Sequence, residues 1–200
     1  MERDGAGPRF GYPVVLDLRG RTALVVGAGP VAARKVAGLA AAGAAVRVVA
    51  PAVGADLDES AVSELRRRRY EPADLDGVSL VVTATGDAHI DARVAADATA
   101  AGLWVNAADQ PAECSFILPA VARHGPLTIA VSTDGSSPAL ARRLRDRAGE
   151  LLTADVVALA GELADRRREV RAGGQSTEHV DWSAVIDAVV APPPEFNRDP

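Results

Sequence analysis

Cysteine is almost absent from this chain of 200 residues: Cys114 is the only one. A single thiol excludes an internal disulfide framework and any zinc site built on cysteines. Aromatic residues are also scarce, at 4% of the chain against 48% hydrophobic overall, a composition ordinary for α/β proteins rich in Ala and Val. No apolar run approaches the ~20 residues of a membrane span. The opening Met1-Glu2-Arg3-Asp4 does not read as a signal peptide, so the expectation is a cytoplasmic protein without membrane attachment. Positive charge is not in excess either. A formal charge of −5 argues against non-specific nucleic-acid binding, and no basic DNA-reading element is evident. His89, His124 and His179 have no ligand partner at helical spacing, so no metal site is expected. The length suits one domain or one and a half.

What is present is concentrated first in Thr22-Ala23-Leu24-Val25-Val26-Gly27-Ala28-Gly29-Pro30-Val31-Ala32-Ala33-Arg34-Lys35. This reads as a buried strand, a glycine turn and the start of a helix. Gly27 can take the tight turn, Gly29 has no Cβ to block a pyrophosphate, and Ala32 lets helix and strand pack closely. Pro30 suits the first helical position, where a missing N–H costs nothing. The helix N-terminus then faces the phosphates with free N–H groups and a favourable dipole. A plain strand–helix turn would need the same glycines for geometry alone.

A strand–helix rhythm follows. Strands are expected at 22–26, 45–50, 79–84 and 103–106, with a weak one near 69–72, and helices at 30–42, 56–67 and 88–101. Such alternation predicts a Rossmann-like, doubly wound parallel sheet covered on both faces. Beyond residue 112 the pattern changes to two strand-like runs at 116–122 and 127–132, then a helix opened by Ser137-Pro138. Helical sequence continues to about 171, and a last short helix is expected over 182–190. The division predicted is a dinucleotide-binding domain over 12–112, a small α+β dimerisation and active-site region over 113–150, and a helical region over 151–190. Residues 1–11 and 191–200 are expected to be flexible.

Ligands of such sheets bind outside the carboxyl ends of the strands. After the second strand, Val49-Ala50-Pro51-Ala52 lacks both the acid that would hold an adenosine ribose and an arginine for a 2′-phosphate. Thr85-Gly86-Asp87 forms a polar turn able to border a cofactor. Asp109, in Ala107-Ala108-Asp109-Gln110-Pro111, is the best acid–base candidate, although an Asx turn before proline would need the same residue. Arg142, Arg143, Arg145 and Arg147 cluster on the helix after Ser137-Pro138, and Arg34-Lys35 lie early on the first helix. Arginine forks suit carboxylates, while Asp146 and Glu150 could equally neutralise a solvated face. Gly135-Ser136-Ser137-Pro138 offers hydroxyls and N–H groups as an anion seat.

In order, Gly-Ala-Gly-Pro-Val-Ala-Ala-Arg-Lys (27–35), Asn-Ala-Ala-Asp-Gln-Pro-Ala-Glu-Cys-Ser-Phe-Ile-Leu-Pro-Ala (106–120) and Leu-Thr-Ile-Ala-Val-Ser-Thr-Asp-Gly-Ser-Ser-Pro-Ala-Leu-Ala-Arg-Arg-Leu-Arg (127–145) resemble one family. It is the precorrin-2 dehydrogenase/sirohydrochlorin ferrochelatase family, which includes the N-terminal module of siroheme synthase. The resemblance covers about residues 12–170. It implies NAD-linked oxidation of precorrin-2 to sirohydrochlorin in siroheme biosynthesis, with Fe²⁺ insertion as a further activity of some members, and a homodimer. It implies that Gly29, Pro30 and Val31 meet the pyrophosphate, that Pro51 and Ala52 border the adenosine, and that Asp109 is the general base. Ser132 and Thr133 stand where relatives carry two serines, so the match there is imperfect, and Ser132 joins Ser136, Ser137 and Arg142 as substrate-binding candidates. The methyltransferase domain fused to some members is not expected here. Two other readings stay open: a non-catalytic NAD(H)-sensing Rossmann dimer, and a dehydrogenase of another small substrate.

Overall fold

Five short segments pair side by side, and for the central ones an apolar sequence explains why. In β1 (Thr22–Val26), β2 (Ala45–Val49) and β4 (Val78–Thr83), successive side chains alternate between two buried faces. Val25, Val46, Val48 and Val82 meet Ala32, Ala33 and Val36 of helix α1 (Pro30–Ala41) on one face. Leu24, Val26, Val49 and Val81 meet Val94, Ala95 and Ala98 of helix α2 (Ala88–Ala100) on the other. Strands buried on both faces read as continuous apolar runs, which is the mark of a parallel sheet. The computed structural model describes residues 9–190, so the expected C-terminal tail and most of the expected N-terminal arm lie outside it.

The sheet order is β3-β2-β1-β4-β5, all parallel, with β3 at Glu64–Arg66 and β5 at Trp104–Ala107. The doubly wound arrangement expected from the sequence is therefore present. Gly43 (φ +86°) closes α1 and Gly102 (φ +71°) follows α2, positions where glycine alone turns without penalty.

Between β2 and β4 the expectation fails. Residues 56–67 are not a helix: only a single 3₁₀ turn, Glu59–Ala61, forms, and β3 occupies Glu64–Arg66 where no strand was expected. The Asp58 carboxylate accepts from the Ser60 N–H and hydroxyl and closes that turn locally. The arginine run is then drawn into extended backbone by tertiary ion pairing. Arg47 of β2 bonds Glu64 at 2.6 Å, while Arg66 and Arg68 both bond the fully buried Asp74. No strand forms at 69–72.

Residues from 119 onward form a second compact unit. Strands β6 (Ala120–His124) and β7 (Leu127–Val131) pair antiparallel around Gly125-Pro126. The expected strand at 116–122 thus starts later, because the Ser115 and Phe116 N–H groups bond the Val105 carbonyl at the edge of β5. Helix α3 (Pro138–Gly149) is capped by Ser137, and α4 (Ala154–Ala172) by Thr153. The last helix, α5, is shorter than expected, at Ser183–Asp187. Within this unit only Ala141 and Leu159 are buried among the described residues. No helix among the described residues is long and apolar enough to cross a membrane.

Candidate functional site

The glycine turn joins β1 to α1 with Gly27 at φ +112°. A Cβ on Gly27 would lie 2.3 Å from the Ala84 carbonyl oxygen, so only glycine lets the end of β1 pass the end of β4. Gly29 differs: nothing stands within 4 Å of where its Cβ would be. It is the N-cap of α1, makes no side-chain cap, and is followed by Pro30. The N–H groups of Val31 and Ala32, in the first turn of α1, have no partner inside the helix. Gly54 N–H donates to the Ala28 carbonyl at 3.0 Å, and a Cβ on Gly54 would meet the same oxygen at 3.0 Å. This contact draws the loop after β2, with exposed Pro51 and Ala52, against the turn.

Thr85 sits after β4 with its hydroxyl already engaged. It donates to Asp91 Oδ1 at 2.8 Å and accepts from the Asp87 N–H at 3.1 Å. Asp91 also receives the Thr85 N–H at 3.1 Å and the Thr83 hydroxyl, and it is buried in the first turn of α2, where the helix dipole favours a carboxylate. Sequence reasoning missed Asp91 and Gly54. The signal for Asp91 was there, because positions 91, 94, 95 and 98 form one helical stripe and a lone acid stands on it.

Asp109 follows β5 in a left-handed backbone conformation, φ +59°, with its side chain exposed. Asp tolerates this region better than most residues. The turn is held from several sides. Ala108 N–H bonds the Thr83 carbonyl at 2.9 Å, and the buried Cys114 sulfur accepts from the Ala107 N–H at 3.2 Å. The Arg9 guanidinium donates to the carbonyls of Pro111, Ala112 and Cys114 at 2.9–3.0 Å. Arg9, expected in a loose arm, is thus a clamp on the Asp109 loop.

In the second unit the 132–137 turn is locally self-satisfied. Ser132 Oγ accepts from the Asp134 N–H at 3.2 Å, and the Ser136 hydroxyl donates to the Thr133 carbonyl at 2.5 Å. Ser137 Oγ caps α3 by accepting from the Leu140 N–H at 3.3 Å. Arg142 and Arg143 are exposed and make no ion pair within the described residues, whereas Arg145 bonds Asp146 at 2.5 Å. Among the described residues no three His, Cys, Asp or Glu side chains come together as metal ligands.

Residues 14–120 match the family model described as "Putative NAD(P)-binding". The chain belongs to that family. Residues 124–147 match a second model, sirohaem biosynthesis protein central. The siroheme synthase of Methylobacillus flagellatus is 40% identical over 185 residues, 89% of this chain and 39% of that protein. The siroheme synthase of Ectopseudomonas mendocina is 42% identical over 160 residues, 80% of this chain and 34% of the other. The chain thus spans between 34% and 39% of the length of these curated relatives. A solved structure, SirC, a precorrin-2 dehydrogenase, is 28% identical with a TM-score of 0.65, covering 89% of this chain and 87% of that one.

The geometry fits the dinucleotide that the family binds. The open space at Gly29 and the first-turn N–H groups of α1, which have no intrahelical partner, are compatible with a pyrophosphate at this turn.

Proposed function

We propose that the chain is an NAD-dependent precorrin-2 dehydrogenase that forms sirohydrochlorin in siroheme biosynthesis, acting as a cytoplasmic homodimer. The observation that carries this reading is the similarity to the SirC dehydrogenase along nearly the whole of both chains. An exposed carboxylate at the end of β5, in the same sheet as an open glycine turn, supports it. Bound NAD⁺ supplies the hydride acceptor. The chain's own groups do the rest. Val31 and Ala32 N–H groups hold the pyrophosphate at Gly29, Gly27 sets the turn, and Pro30 opens the helix. Pro51 and Ala52 border the adenosine, and the Thr85 turn, fixed by Asp91, borders the cofactor. As precorrin-2 gives up a hydride, Asp109 accepts the proton released as conjugation extends. Ser132, Ser136, Ser137 and Arg142 bind carboxylates of the tetrapyrrole. The exposed Leu140, Leu144 and Leu151 of the second unit support a dimer.

The test is anaerobic incubation of the purified protein with precorrin-2 and either NAD⁺ or NADP⁺, following the visible spectrum of sirohydrochlorin. Product with NAD⁺ is expected, and none with either cofactor overturns the reading. Asp109→Asn should lower kcat by about 10²-fold or more, the usual scale of a lost general base. Full activity in that variant would remove Asp109 from the chemistry while leaving the enzyme reading intact.

A further inference from the structure

Lys35 is a half-buried cation without an anion. It lies on α1, yet its Nζ reaches across to Asn106 Oδ1 of β5 at 3.4 Å, a long single hydrogen bond for a group with three donors. Asn106 is buried and its orientation is fixed, because its amide nitrogen donates to the Phe116 carbonyl at 3.1 Å and faces the Cys114 sulfur at 3.6 Å. Its oxygen is therefore the atom left for Lys35. No carboxylate lies within ion-pair distance of Lys35 among the described residues. Burial pushes its ammonium below the usual lysine range, while the fields of Cys114 and Asp109 pull upward and that of Arg34 pushes down. A charge held partly out of water with no counter-charge costs stability, so its retention calls for an anion delivered from outside.

The position decides which anion. Asn106 is on β5, and β4 lies between β5 and β1, which carries the glycine turn. Two strand spacings amount to roughly 10 Å. The ammonium thus stands at the Asp109 end of the sheet and away from the glycine turn. Arg34, next to it in sequence, is exposed and lacks this placement. We propose that Lys35 is a substrate-binding residue, receiving one carboxylate of the tetrapyrrole and so orienting the macrocycle toward Asp109. This rests on the functional reading above. Neighbouring groups that bear on Lys35 are Arg34 on its own helix, Asp109 in the turn after β5 and the Cys114 thiol behind it.

The test compares wild type, Lys35→Met, Lys35→Gln and Lys35→Arg as full chains. Sirohydrochlorin is titrated in by its visible spectrum, NAD⁺ by calorimetry, and KM for precorrin-2 is measured. Lys35→Met is expected to weaken tetrapyrrole binding about tenfold and to raise KM in proportion, with a far smaller fall in kcat, since a charge-assisted hydrogen bond is lost. NAD⁺ affinity should not change, and Lys35→Arg should recover most of the loss. If Lys35→Met does not fold, Lys35→Gln decides in its place. Unchanged tetrapyrrole affinity overturns the proposal. A loss of NAD⁺ affinity instead would assign the cation to the cofactor, and a fall in kcat alone would make Lys35 a positioning residue for Asp109. If wild type itself neither binds tetrapyrrole nor makes sirohydrochlorin, the functional reading fails, and this assignment with it.

Discussion

At the scale of single residues, Gly27 and Gly29 are two positions apart and have different physical duties. Gly27 is bound by the fold: its φ is +112° and its missing Cβ would strike the Ala84 carbonyl. Gly27→Ala should therefore cost ~3 kcal/mol or more, combining backbone strain with a backbone clash. Thermal unfolding would show a fall of several degrees. Gly29 has an ordinary φ of −82° and empty space around its Cβ position. Gly29→Ala should lower the melting temperature by no more than about 4 °C, because replacing glycine by alanine at a helix N-cap costs ~1 kcal/mol or less. It should weaken NAD⁺ binding at least tenfold, because the methyl occupies the space assigned to the pyrophosphate. Unaltered NAD⁺ affinity in Gly29→Ala would move the phosphates elsewhere. The glycine turn and the Asp109 turn can be picked out in the sequence because both are local patterns, carried by residues adjacent in the chain. Arg9 and Gly54 escape such reading. Arg9 acts on carbonyls 102 to 105 residues away, and Gly54 acts through a backbone approach.

At the scale of elements, the same distinction separates the strands that could be read from the one that could not. In β1, β2 and β4, burial largely follows the apolar residues, so composition and period mark them. Strand β3, Glu-Leu-Arg, has no such signal, and its extended form depends on partners in β2 and in the loop that contains Asp74. That network has a pH signature. Burial alone would raise the Asp74 carboxyl, but Arg68, the Glu71 N–H and Arg66 together hold it down at about 2, from an ordinary 3.8. A carboxyl held below its unfolded value stabilises fully above about pH 4, and that contribution is lost as pH falls toward 2. The difference corresponds to about 2 kcal/mol. Asp74→Asn should lower stability at pH 7 by ~3 kcal/mol, since two arginines lose their buried partner. Its stability should also decline less steeply than that of wild type between pH 4 and pH 2. Urea unfolding followed by circular dichroism at several pH values measures both, and parallel curves for the two proteins would show that the network contributes no pH dependence.

At the scale of the whole molecule, the two units differ in how much of their apolar surface they bury. The first has a core on each face of a five-stranded sheet. The second, among its described residues, buries only Ala141 and Leu159, and leaves Leu140 at 49%, Leu144 at 44% and Leu151 at 68% exposure. Leu140 and Leu144 are four residues apart on α3 and so share one face. Beside them runs a groove lined by Val131, Leu144, Ala148 and Leu151, with the charged Arg147 and Glu150 also lining it. A unit with so small a core of its own is expected to draw stability from a second copy, each buried leucine contributing ~2 kcal/mol. Because a two-fold interface repeats every contact, a charge placed at Leu144 appears twice in the assembly. Leu144→Glu should therefore convert a dimer of twice 20.6 kDa into a 20.6 kDa monomer in light scattering behind size exclusion. The melting temperature of the second unit should fall with it, while NAD⁺ binding, which uses groups of the first unit, should change little. A wild-type mass of 20.6 kDa at tens of micromolar would refute the dimer. A wild-type dimer that survives Leu144→Glu would place its interface on another face, with the Tyr12, Val14 and Val15 segment of the first unit, 60–94% exposed, the next surface to mutate.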